Sequence, residues 1–198
     1  MNRNVVGMSV RSGARAFTAV VLLLAACEGL LPGPDDFEPS GTDFNLNPNI
    51  ELLLITGKNT GFPPTGTFPF SFAVRSRNSG IECDTLPAGL LFRSKKSRVQ
   101  HVLMLKPHII STGPSPVQFE LGMFCCNEFR EMPRASDTFE LGPITDNAGL
   151  REIVDRVRDR DISGHLWMVQ RAVWMVTDST GLNQAYRDSL DNLPPARI

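Results

Sequence analysis

The side chains best suited to covalent chemistry in this 198-residue chain are those of four cysteines, Cys27, Cys83, Cys125 and Cys126. A thiol beside a histidine can act as a nucleophile, so Cys125 or Cys126 paired with His165 would indicate a hydrolase. The histidines, at positions 101, 108 and 165, are scattered and have no metal-ligand spacing with acids or cysteines. The sequence therefore predicts no metal and no cofactor, and it favours a protein that is not an enzyme over a cysteine hydrolase.

The first cysteine follows an N-terminal segment with the features of an export signal. Three arginines lie within residues 1–15, an apolar run covers residues 16–26, and small residues precede Cys27. This pattern is typical of a secretory signal peptide. The sequence Leu24-Ala25-Ala26-Cys27 resembles the lipobox of bacterial lipoproteins, which implies cleavage before Cys27 and acylation of that residue. An uncleaved membrane anchor and a plain signal peptide are the alternatives.

The resemblance to lipoproteins also implies a location. Acyl chains on Cys27, palmitate among them, would bury enough methylene groups to hold the protein on a membrane. Lipoproteins retained in the inner membrane tend to carry Asp after this cysteine, whereas this chain has Glu28. The outer membrane is therefore favoured if the host has one. Residues 27–48, rich in Gly, Pro, Asp, Ser and Asn, are predicted to be a flexible tether, and residues 49–198 a single extracytoplasmic domain.

Three cysteines remain for an oxidising compartment, which is an odd number. Adjacent cysteines cannot form a disulfide without a strained peptide bond, so Cys83 is predicted to pair with either Cys125 or Cys126. The third thiol would then be left free, and a free thiol outside the cytoplasm is either buried and inert or reactive.

The most apolar stretch after the N-terminus, residues 166–178, contains both tryptophans and the polar residue Gln170. It is too short to span a bilayer and predicts a buried helix. A buried glutamine must find hydrogen-bond partners, because an unpaired amide in a core costs free energy. One interpretation is therefore that Gln170 is a packing residue hydrogen-bonded to a neighbouring strand.

The steps Phe124-Cys125 and Val169-Gln170-Arg171-Ala172-Val173-Trp174 resemble the thioester domains of Gram-positive surface adhesins. The resemblance implies that a thiol, of Cys125 or its neighbour Cys126, attacks the Gln170 amide, releases ammonia and leaves a thioester that acylates a surface amine. It also implies a β-rich part carrying the cysteine and a helical part carrying the glutamine. A thioester must be shielded from water, and the two tryptophans, one turn either side of Gln170, could provide the shield. Val169 stands where the family's Thr-Gln-x-Ala motif has threonine.

Strand patterns dominate the chain before Pro133, and they cover residues 50–56, 68–74, 86–92, 98–110 and 117–124. In the fourth, Val102 and Met104 are predicted to share one face, with Leu103 and Leu105 on the other.

After Pro133 the period becomes helical. An apolar stripe begins at Leu150, with a cap among residues 145–147, and Ser163 is predicted to cap the apolar helix. A last helix is predicted over residues 182–192. The fold class is thus α+β, with an antiparallel β-sandwich-like part, or a small barrel, followed by about three C-terminal helices.

The overall charge is the last constraint on function. A formal net charge of −1 and a pI near 6.3 give no basic surface, so nucleic acid is not an expected partner. The sequence predicts a lipid-anchored binding or interaction protein of the cell envelope, with the membrane as one partner and a protein or surface ligand as another. A thioester adhesin is the sharper form of this hypothesis; a cysteine hydrolase and a purely structural envelope component are the alternatives.

Overall fold

The computed structural model describes residues 37–58, 68–178 and 180–196. Within these ranges the strands come first and the helices follow, which confirms the α+β class. The strands are β1 Gly41–Asp43, β2 Ile50–Gly57, β3 Phe68–Ser76, β4 Glu82–Leu86, β5 Leu90–Ser94, β6 Val102–Leu103, β7 His108–Thr112, β8 Val117–Cys125 and β9 Phe139–Thr145. The helices are α1 Ala148–Val157, α2 Leu166–Thr177 and α3 Gln184–Asp191.

The strands form one seven-stranded sheet, in the order β1-β9-β5-β6-β8-β3-β2, and a separate β4-β7 ribbon. Every ladder is antiparallel. The large sheet curls back on itself, because a bridge joins Thr56 at the end of β2 to Thr138 just before β9. The Gly57 N–H also donates to the Asp137 carbonyl at 3.4 Å. The β part is therefore a curled, nearly closed sheet and corresponds to the small barrel of the two architectures that the strand pattern allowed.

Alternation along the strands divides the apolar side chains into two cores. The inner core includes Val102 and Met104, whereas the outer core, between the sheet and the helices, includes Leu103 and Leu105. This is the division predicted from the sequence. It arises because successive side chains of a strand point to opposite faces. Both faces of this part of the sheet are thus buried, one by the curl of the sheet and the other by the helices.

The helices follow the predicted pattern, with one exception at a cap. The α1 stripe, Leu150, Ile153, Val154 and Val157, is buried, and the Asn147 side chain accepts from the N–H groups of residues 149 and 150. The predicted cap of α2 is wrong: α2 begins after His165, which makes no side-chain cap. Ser163 instead donates its hydroxyl to Asp161 at 2.6 Å.

The folded domain begins before the predicted boundary at residue 49. Strand β1 pairs with β9, and Phe37, Phe44 and Leu46 pack against the two cores. The close approach of β1 requires Gly41, whose φ is +144° and whose position would place a Cβ 1.9 Å from the Ile144 carbonyl oxygen. Residues 37–48 are therefore part of the domain and not of a tether. The predicted signal peptide, Cys27 and residues 28–36 lie outside the described residues.

Candidate functional site

Gln170 lies against Cys125 at the contact between α2 and β8. The Gln170 Oε1 accepts from the Cys125 N–H at 2.8 Å, and its Nε2 donates to the Cys125 carbonyl oxygen at 2.7 Å. Gln170 is fully buried. The structure therefore brings together two of the residues singled out for the thioester, through the backbone of the cysteine. The amide nitrogen that would leave as ammonia is the one bound to this carbonyl.

The sheet explains why Cys125 needs such a partner. Cys125 faces Val102 of β6, but the ladder bond there runs from the Cys126 N–H to the His101 carbonyl at 2.8 Å. In an antiparallel ladder this pattern makes the N–H and C=O of Cys125 point away from β6. On that other side, the described pairing with β3 ends at Met123. The Gln170 amide therefore completes the hydrogen bonding that a further strand residue would supply.

The two adjacent thiols lie in different cores and are both held in the neutral form. Cys125 belongs to the inner core and Cys126 to the outer core, and neither is exposed. Burial raises the pKa of both thiols well above the ordinary value, with a smaller contribution from Cys126 for Cys125 and from the Asp178 carboxylate for Cys126. A cysteine nucleophile needs the opposite shift, toward the thiolate at neutral pH.

The predicted disulfide of Cys83 with Cys125 or Cys126 is not formed, because all three thiols are free. Cys83 lies on the exposed face of the β4-β7 ribbon, paired with Ser111. The two candidate partners are in the protein interior, so Cys83 and the buried pair occupy different environments. The sequence could not show this, because it did not reveal β4 as an outlying strand.

The two tryptophans near Gln170 differ in exposure. Trp174 is only 4% exposed and its Nε1 donates to the Gln100 Oε1 at 3.2 Å, whereas Trp167 is 43% exposed. The two rings meet edge to face with centroids 5.6 Å apart. Trp174 therefore belongs to the water-excluding surroundings of the helix, and Trp167 presents much of its ring to solvent.

The three histidines lie in different parts of the fold. His101 is buried and its Nδ1 accepts from the Ser94 N–H at 3.0 Å, His108 lies edge-on to Phe119, and His165 is exposed at the start of α2. Among the described residues, no group of three or more His, Cys, Asp or Glu side chains could hold a metal ion.

A cleft of about 760 Å³ is the second feature that could bind a ligand. It lies on the outer face of β8, between the β6-β7 connection and the segment that joins α1 to α2. Its apolar surface includes Gly122, Phe124, Ile162 and Leu166. Its charged groups are Lys106, Arg158, Arg160 and Asp161. A volume of several hundred cubic ångströms, with apolar walls and few polar groups, is typical of small-ligand sites.

The Lys106 ammonium is used to terminate α1. Its Nζ donates to the carbonyl oxygens of Val157, Arg158 and Arg160, the last two at 2.7 and 2.9 Å. A cation at this position is stabilised by the partial negative charge of a helix C-terminus and satisfies its unpaired carbonyls. Burial lowers the pKa of this ammonium, and Asp159 and Asp161 oppose that effect.

The cleft was not predicted from the sequence, although the sequence contains one indication of such a site. Gly122 lies inside β8, and a glycine inside a strand often marks a place where another molecule approaches closely. A Cβ at Gly122 would meet nothing within 4 Å. The remaining walls come from segments distant in sequence, so no local pattern could reveal them.

Within the described ranges, no helix is long and apolar enough to cross a membrane. Comparisons of the chain with protein-family models, curated proteins and solved structures give no match.

Proposed function

We propose that the chain is a lipid-anchored binding protein of the cell envelope, held on the membrane through Cys27 and not itself an enzyme. The observation that carries the binding role is the cleft, whose apolar floor and cationic rim have the size and composition of a ligand site. The lipobox sequence supports the anchor, with the outer membrane favoured if the host has one. Binding is preferred to cysteine-dependent hydrolysis because both interior thiols are buried, with pKa values that disfavour the thiolate.

The anchor is tested by growing cells with an alkyne-bearing palmitate and comparing the wild-type protein with Cys27→Ser. We expect the label on the wild type only, together with its recovery in the membrane fraction. A wild-type protein that carries no label, or that keeps residues 1–26, would contradict the lipoprotein assignment.

The binding role is tested by extracting the purified full-length protein with organic solvent and identifying the released small molecules by mass spectrometry. The variant Gly122→Trp would fill the cleft without meeting other atoms of the chain at its first side-chain position. We expect at least one molecule that is released from the wild type and absent from Gly122→Trp. Identical extracts, with a stable protein partner in pull-downs, would favour the purely structural envelope component.

A second candidate function is covalent adhesion through a thioester, and the contact between Gln170 and Cys125 favours it. In the reaction the Sγ of Cys125, or of Cys126, would bond to the Gln170 Cδ while the Cδ–Nε2 bond breaks. The thiol proton would leave with the amide nitrogen as ammonia. The thioester would later acylate an amine and return the thiol. To react, the amide must first give up its bond to the Cys125 carbonyl.

The protein with a thioester and the protein with a free thiol and an intact Gln170 amide differ in mass. A thioester would lower the mass of the purified protein by one ammonia, methylamine would restore it, and Gln170→Ala would abolish the deficit. A full mass with three alkylatable thiols after denaturation would end the thioester hypothesis and leave Gln170 as a structural residue.

A further inference from the structure

We infer that the cleft binds an anionic amphiphile, with an acyl chain on its apolar floor and an acidic head group near Arg158 and Arg160. This inference rests on the proposed binding function and names the chemical class of its ligand. Two sources share this chemistry, a free fatty acid and an anionic phospholipid.

The floor of the cleft suits a flexible hydrocarbon chain. Along β8, Leu121 and Met123 point into the inner core, so Gly122 and Phe124 lie on the outer face. Phe124 is 2% exposed and supplies an apolar wall, and Gly122 leaves the strand backbone uncovered beside it. Ile162 and Leu166 extend the apolar surface from the helical side. Burying methylene groups on such a surface is favourable, because it removes apolar area from water.

The rim of the cleft suits an acidic head group. Arg158 directs Nη2 to Asp155 at 2.8 Å, and Arg160 directs Nη1 to the Leu193 carbonyl at 3.0 Å. A guanidinium has five N–H donors, so both side chains keep donors for a carboxylate or phosphate. Asp161, a carboxylate on the rim, accepts two hydrogen bonds from Ser163.

The Lys106 ammonium makes this rim compatible with an anion. The C-terminus of α1 faces the cleft, and a helix C-terminus carries partial negative charge that repels anions. Lys106 occupies the carbonyls of residues 157, 158 and 160 at this point. Lys106 therefore offsets the partial charge of the helix end, and the rim presents Arg158 and Arg160 beside the Asp161 carboxylate. A neutral amphiphile would use the floor and leave the remaining N–H donors of the two arginines unused.

The binding site is tested with the full-length protein in a neutral detergent, using palmitic acid that carries a photoreactive diazirine on its chain. We expect cross-links on the peptides that contain Phe124 or Leu166, and competition by unlabelled palmitic acid. Gly122→Trp is expected to reduce this labelling at least tenfold. The control is Gly113→Trp, at a second glycine whose Cβ would meet nothing within 4 Å and which does not line the cleft. Equal labelling of the two variants would overturn the inference.

The head-group requirement is tested with the double variant Arg158→Gln, Arg160→Gln, checked for an unchanged melting temperature against Arg151→Gln. Losing a charge-assisted hydrogen bond should weaken labelling by the acid about tenfold. Labelling by a photoreactive palmityl alcohol should not change. Equal loss for acid and alcohol, or none for the acid, would refute the anionic head group. A diazirine phosphatidylglycerol probe then distinguishes the two sources, since the true ligand class should displace the other.

Failure of this inference is distinguishable from failure of the binding function. If no lipid probe labels the cleft but the wild type still releases a non-lipid molecule that Gly122→Trp lacks, the ligand class is wrong and the binding role stands. If neither is observed, both are wrong.

Discussion

The double hydrogen bond from Gln170 to the backbone of Cys125 allows a quantitative test. In Gln170→Met the side chain keeps nearly its volume and loses both polar partners, so the N–H and C=O of Cys125 are left unpaired in a fully buried place. An unsatisfied buried polar group costs about 1–3 kcal/mol. The free energy of unfolding should therefore fall by about 2–5 kcal/mol, after allowance for partial relaxation of the chain.

The measurement is urea unfolding of the full-length protein, followed by tryptophan fluorescence, because Trp174 lies one turn beyond Gln170 in α2. The control is Gln184→Met, at an exposed glutamine where α3 begins. Its free energy of unfolding should change by less than about 0.5 kcal/mol, as is usual for surface substitutions. Gln170→Ala should be less stable than Gln170→Met, since it adds a cavity to the lost hydrogen bonds.

A third variant separates hydrogen bonding from packing. In Gln170→Glu, a protonated carboxyl can accept from the Cys125 N–H and donate to its carbonyl, whereas an ionised carboxylate cannot donate. Relative to the wild type, this variant should therefore be most stable in acid and should lose stability as the pH rises. If the free energy of unfolding of Gln170→Met lies within about 0.5 kcal/mol of the wild-type value, the reasoning is refuted, because the two hydrogen bonds would then contribute no more than an exposed side chain does.

Three further predictions concern other parts of the domain. Of the three cysteines that the structure describes, native alkylation should modify Cys83 alone, and Cys125 and Cys126 should react only after unfolding, which peptide mapping after stepwise labelling would show. Early labelling of either buried thiol would contradict their burial. Burial acts to raise the pKa of Asp137, but the hydrogen bond from Lys96 at 2.6 Å and one from the Arg134 N–H outweigh it, and the pKa is lowered. The contribution of Asp137 to stability should be present above about pH 4, its pKa in the unfolded chain, and should be lost as the pH falls through the lowered pKa of the folded state. The melting temperature of Asp137→Asn should therefore fall less steeply in acid than that of the wild type. An unchanged dependence on pH would contradict this. Gly41→Ala should lower the free energy of unfolding by at least about 2 kcal/mol, since the new Cβ would overlap the Ile144 carbonyl. The control Gly80→Ala, where a Cβ would meet open space, should change the free energy of unfolding little. Equal melting temperatures of the two variants would refute the close approach of β1.

Several elements could be predicted because the information for them is local. The run 50–56 and the alternation in 68–74 and 117–124 match β2, β3 and β8, and the stripe from Leu150 matches α1 with its cap at Asn147. Periods of 2.0 and 3.6 residues follow from backbone geometry, so they appear in the sequence whatever the tertiary arrangement. The opposite orientations of Val102 and Leu103 in β6 could be predicted from the sequence for the same reason.

Other elements were missed because their sequences carry no such period. Strand β9, Phe139–Thr145, contains Gly142 and Pro143, which indicate a turn, and it becomes a strand by pairing with β5 and β1. Strand β4, Glu82–Leu86, is mostly polar and is stabilised by β7. In both cases the neighbouring strand determines the conformation, since β propensity depends strongly on context.

By itself, the sequence determined the order of strands and helices and the prediction that a buried Gln170 would need polar partners, and the resemblance of residues 24–27 to a lipobox stays a prediction. Only the tertiary structure decided what those partners are. The C-terminal end of β8 lies beside α2 because the helices cover the outer face of the sheet, and this places the Cys125 backbone within reach of Gln170. The same packing separates Cys83 from the buried thiols and assembles the cleft from β8, the end of α1 and the start of α2. These contacts join residues far apart in the chain, and their geometry depends on the whole fold, which a local pattern does not encode.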